Sequence, residues 1–201
     1  MKRSMISFLA SLSLSTLAMA SGAQLRSVQS NGSGCPVQAS GAIPYGFDGE
    51  WLTIDLSKAQ MNVARGEGIS LEESRRQCAF TLDLKAPTGY RFALERAISW
   101  GQMDVSDGDQ LHGTLEAFFA GAGSTNLLQA SAEGSDQNSF TFDRTLNPYD
   151  LNWSDCHKDR SLVVNTAIRV SNNAAPRARY QTYSAATEDK LALKFVFQKC
   201  H

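Results

Sequence analysis

Beyond residue 50, apolar and polar positions mostly alternate. In residues 51–56 (WLTIDL), Leu52, Ile54 and Leu56 share one phase, and Thr53 and Asp55 the other. A period of two marks a strand buried on one face. The pattern returns in residues 78–85, with Phe80, Leu82 and Leu84 in phase, and in residues 90–94. Pro87-Thr88-Gly89 separates these two runs and predicts a hairpin. Further strands are expected over 97–105, kinked at Gly101, then 111–119, 139–146, 162–170, about 178–186, and 191–198. In 162–170 the even-numbered residues Leu162, Val164, Thr166, Ile168 and Val170 are the more apolar set and should face the core.

One segment departs from this period. Ser70 and Glu73 spell a capping box, which predicts at most two helical turns over residues 70–77. No long amphipathic helix alternates with the strands, which argues against α/β architecture. The expected fold is all-β: an antiparallel β-sandwich, jelly-roll-like, of about eight to ten strands with one short helix.

The N-terminus follows a different logic. Lys2 and Arg3, an apolar run over 6–17 and Ala18-Met19-Ala20 come in secretory order. Residues 1–20 therefore read as a signal peptide, with a second cleavage choice after Ala23. The apolar run is too short to span a membrane, and no later stretch is long or apolar enough to do so. Residues 21–34 are polar and rich in Gly and Ser, and read as a flexible lead-in. Residues 35–201 then form one domain. Loss of Lys2 and Arg3 takes the net charge from −1 to −3. No basic block remains that would suit nucleic acid or an anionic membrane.

All four cysteines, Cys35, Cys78, Cys156 and Cys200, lie beyond the leader. In a secreted chain an even count reads as disulfides. Of the three connectivities, one staple per half is favoured: Cys35–Cys78 and Cys156–Cys200. Zinc would need close ligand pairs such as C-x-x-C, and none is present.

Several segments carry a resemblance to a known family. They are Gly34-Cys35-Pro36, Leu52-Thr53-Ile54, Ser74-Arg75-Arg76-Gln77-Cys78, Pro87-Thr88-Gly89-Tyr90, Trp153-Ser154-Asp155-Cys156, the N-T-A-I-R-V-S-N run from Asn165 to Asn172, and Cys200. In this order they resemble the secreted four-cysteine family catalogued as domain of unknown function 4360, found in fungi and bacteria. The arginine pair before Cys78 and the N-T-A-I-R segment are the most specific parts; residues 102–146 match loosely. The resemblance implies a small secreted protein with paired cysteines. It carries over no catalytic residue.

Candidate chemistry is sparse. Asp104, Asp107 and Asp109 could offer oxygen ligands to calcium. Their spacing is not that of an EF-hand loop and no Glu closes it, so no metal is assigned, and no cofactor is called for. His112, His157 and His201 are the only histidines, and no G-x-S-x-G elbow accompanies them. Glu72, Glu73, Asp143, Asp150, Asp155 and Asp159 could supply a carboxylate pair for glycoside hydrolysis. Trp51, Trp100, Trp153 and Tyr149 are the candidate ligand-binding aromatics, suited to stacking on carbohydrate. Arg75, Arg76 and Arg169 read as structural, with an anion site as the rival. Asn31-Gly32-Ser33 and Asn152-Trp153-Ser154 are glycosylation sequons.

The sequence thus favours a secreted, disulfide-stapled, non-catalytic module. It would bind carbohydrate or a cell-surface protein outside the cell, or in the periplasm or at the surface of a Gram-negative host. One alternative is a carboxylate-dependent hydrolase acting on polysaccharide; the other is a structural envelope or matrix protein.

Overall fold

The computed structural model describes residues 22–35, 43–59, 61, 63–65, 70–102, 109–122, 126–133, 139–172, 181–182 and 190–200. The expected leader over 1–20 lies outside them. In chain order the strands are β1 (Gln24–Asn31), β2 (Tyr45–Phe47), β3 (Trp51–Asp55), β4 (Ala64–Arg65), β5 (Arg75–Lys85) and β6 (Tyr90–Gln102). Then follow β7 (Asp109–Phe119), β8 (Asn126–Glu133), β9 (Ser139–Thr145), β10 (Leu162–Asn172), β11 (Gln181–Thr182) and β12 (Lys190–Lys199). One five-stranded sheet runs β1-β5-β10-β7-β8 and the other β2-β3-β12-β6-β9; β4 and β11 pair separately. All the strand pairings are antiparallel. The all-β expectation holds.

The sheets bury their alternating apolar faces against each other. Phe80, Leu82, Leu115, Phe119 and Val164 of the first sheet join one core with Leu52, Ile54, Leu94, Leu193 and Phe195 of the second. Phe92 of the second sheet meets Phe119 of the first edge-on, with ring centroids 5.3 Å apart. Leu162, Val164, Thr166 and Val170 are buried as their phase requires, and Ile168 packs against the core. Thr166 is the polar member of that inward set, at 7 % exposure.

Three expectations are corrected. Within residues 21–34, Gln24–Asn31 is not a flexible lead-in but the edge strand β1, paired with β5. A bulge between Leu25 and Ser27 breaks its period, so Leu25 and Val28, three residues apart, both meet the core side. The expected helix over 70–77 is a single turn that leads straight into β5 at Arg75. Both capping-box bonds form: the Ser70 N–H donates to Glu73 Oε2 (2.8 Å) and the Glu73 N–H to Ser70 Oγ (3.2 Å). Strand pairing with β10, Arg169 opposite Arg75, then takes the backbone before a second turn can form. Finally, β5 and β6 are not a hairpin. They belong to different sheets, so Pro87-Thr88-Gly89 is a corner between layers.

Disulfides join Cys35 to Cys78 and Cys156 to Cys200, the expected pairing. The first fastens the end of the β1 segment to β5. The second fastens the approach to β10 to the end of β12.

Candidate functional site

The outward face of the second sheet collects the tryptophans. On β3, Trp51 alternates with the fully buried Leu52 and Ile54, so it points away from the core. On β6 a bulge at Glu95 resets the phase, and Arg96, Ile98 and Trp100 then face outward. Trp153 lies beyond the strands but forms an isolated bridge with Ala93, which shares the outward phase of Arg91. All three indoles therefore share one side of one sheet. Each is half-buried. Trp51 pairs with Lys194 and Trp100 with Lys190, on β12 between them. Two strand spacings and four residues separate those indoles, about 16 Å along the sheet.

Charge is placed between these rings. Lys194 Nζ meets Glu95 at 2.8 Å, and Arg96 forks onto Asp143 of β9. The Arg96 guanidinium holds the Asp143 carboxyl below its ordinary range. At one end Arg91 lies over the Trp153 ring, 5.1 Å from its centroid, while bonding Gln198 Oε1. That cation occupies one face of Trp153. The segment carrying Trp153 is fixed by buried Ser154, whose Oγ accepts from the Phe92 N–H and whose N–H donates to the Phe92 carbonyl. Tyr149 stands apart at 96 % exposure, on a 3₁₀ turn (Pro148–Asp150) capped by Asn147. The structure thus brings Trp51, Trp100 and Trp153 to one face and leaves Tyr149 on the connection between β9 and β10.

The other sequence candidates separate. Asp104 and Asp107 lie outside the described residues, and Asp109 is described only as the first residue of β7. Asp155 accepts from the His157 N–H, which together with Lys158 and Arg160 keeps its carboxyl low. Asp159 pairs with Arg26, and Arg160 donates to the Ala120 carbonyl. The charged turn around Cys156 is therefore a set of ties between neighbouring segments. A small cleft opens between the sheets, lined by Ser99, Gly113, Leu128, Phe142, Arg144 and Thr166 among others; no carboxylate lines it. Among the described residues no helix is long and apolar enough to cross a membrane.

Sequence reasoning missed two arrangements. His112 Nε2 lies 2.7 Å from Ser171 Oγ, on the outward face of the first sheet. Arg75 and Arg169 stand directly opposite each other there. Only the pairing of β10 with both β5 and β7 creates these contacts; residue spacing holds no sign of it.

The family model for the domain of unknown function DUF4360 matches residues 21–200. The chain belongs to this family. An uncharacterized secreted protein of Arthroderma benhamiae is 23 % identical over 142 residues, covering 70 % of this chain and 56 % of that protein. The chain therefore spans little more than half of that relative. No solved structure gives a significant match. A secreted relative and two disulfides fit the oxidising setting in which such bonds persist.

Proposed function

We propose that this DUF4360 chain works outside the cell as a binding module rather than an enzyme, and that the outward face of the second sheet takes carbohydrate. The observation that carries this is the sharing of one face by Trp51, Trp100 and Trp153. Half-buried indoles on a sheet are held in place before a ligand arrives, which lowers the entropy lost on binding. Their faces suit the C–H surface of a sugar ring, and Lys190, Lys194 and Arg96 between them supply hydrogen-bond donors to hydroxyls. A separation of about 16 Å between Trp51 and Trp100 suits a chain of several sugars rather than one. The carboxylates on that face, Glu95 and Asp143, are each held by a cation, Lys194 and Arg96.

The test is a glycan array on the mature protein, with calorimetry on any hit. Trp51→Ala and Trp100→Ala should each weaken binding about tenfold, equivalent to ~1.4 kcal/mol. A turnover assay on cell-wall polysaccharides runs in parallel. Turnover that vanishes in an Asp or Glu variant would overturn the binding-module reading.

A further inference from the structure

The outward face of the first sheet carries a row of basic side chains. The register sets Arg75 of β5 opposite Arg169 of β10, and Arg169 opposite His112 of β7. Residues directly opposite on antiparallel strands have Cβ atoms about 5 Å apart, and like charges in that position repel. Both arginines are exposed. Among the described residues neither guanidinium has an ion pair or a hydrogen-bond partner. Arg26 and Arg96, by contrast, each hold a carboxylate.

Among the described residues no carboxylate forms an ion pair with the row. In the turn before β5, the Glu73 carboxylate is taken by the Ser70 N–H, and Glu72 bonds Arg76 through its carbonyl, not its carboxylate. Along β7 the nearest outward carboxylate among the described side chains is Glu116, four residues from His112 and about 13 Å away. Ser131 of β8 ends the row opposite His112; the adjoining rows hold Gln77, Ala167, Thr114 and Gln129 on one side, and Ser171, Gln110 and Glu133 on the other. His112 is braced by Ser171, and burial and the Arg169 charge hold its pKa below the ordinary value.

We propose that Arg75, Arg169 and His112 form a binding site for an oxyanion carried by a ligand: a sulfate, phosphate or carboxylate group. Two guanidinium forks on adjacent strands can bracket one such group, each giving paired N–H donors. The imidazole on the third strand adds a donor when protonated. An anion there offsets the repulsion between the like charges of the row. The site lies on the opposite sheet from the tryptophans and does not depend on them.

The experiment follows the His112 imidazole resonances by NMR at pH 6, with His157 as the internal control. Sodium sulfate, sodium phosphate and a galacturonate oligomer are titrated separately, each against sodium chloride at equal ionic strength. At least one oxyanion should give a saturable His112 shift that chloride does not, and the most effective probe identifies the ligand class. Arg75→Gln and Arg169→Gln should each weaken that binding at least tenfold, and Arg169→Lys less, since it keeps charge but loses the fork. Trp51→Ala should leave it unchanged. The glutamine variants should also melt higher than the parent at low salt, which shows that they fold. Shifts no larger than those with chloride, or binding retained in both glutamine variants, would overturn the proposal.

Discussion

Gly113 on β7 faces Phe142 of β9 across the interior. A Cβ at Gly113 would lie 2.5 Å from the Phe142 ring. Contact that close forces the ring off its rotamer or the sheets apart, so Gly113→Ala should destabilise the fold by about 1–3 kcal/mol, read by urea unfolding. Gly32 is needed for a different reason. Its φ is +120°, and a side chain there would collide with the Gln77 carbonyl. Protonation adds a second prediction. The His112 pKa is lowered in the fold, by burial first and Arg169 second. The unfolded chain then binds the proton more readily, so stability rises with pH from the depressed folded value up to about 6.5 and is flat above it. His112→Asn should flatten that part of the profile. Asp48, Glu73, Asp143 and Asp155 shift in the stabilising direction: backbone N–H groups, or Arg96 for Asp143, hold each carboxyl low. Their contribution is present above the ordinary carboxylate range and is lost as pH falls below about 4.

Two bulges matter most among the elements. In β1 and in β6 one extra residue lets apolar side chains three apart, Leu25 with Val28 and Leu94 with Ala97, share the core side. In β6 the same bulge turns Glu95 and Arg96 outward to their partners Lys194 and Asp143. Strand β1 covers the edge of β5 that would otherwise present unpaired backbone groups. A chain that begins at Gly34 should therefore melt lower and aggregate faster than one that begins at Gly22, as measured by scanning fluorimetry with light scattering. Equal melting of the two would show that β1 contributes nothing to the sandwich.

For the whole molecule, the pairings are mostly between strands distant in sequence, such as β5 with β10 and β3 with β12. Closing such loops opposes folding and slows it. The disulfides reduce that entropy in the unfolded chain. Each spans 43 or 44 residues, which the chain-entropy model values at ~4 kcal/mol. Replacing Cys156 and Cys200 with alanine should cost about 2–5 kcal/mol, measured by denaturant unfolding. Non-reducing peptide mapping that joined Cys35 to Cys156 or Cys200 would contradict the pairing.

Period-two alternation in β3, β5, β7, β10 and β12 is a local property, since successive side chains on any strand point to opposite faces. The residue pattern alone therefore settled the all-β class and the inward set of β10. The cysteine pairing was also anticipated, one staple for each half. The bulged β1 escaped notice because its two apolar residues do not alternate. The capping box at Ser70 formed its bonds without a helix, because pairing of β5 with β10 outweighs a short local turn. The sites escaped for a deeper reason. A strand's sequence says which residues share its own face, but not which strand lies beside it or in what register. Only the folded sheets set Trp51, Trp100 and Trp153 on one surface, and Arg75 opposite Arg169 beside His112 on the other.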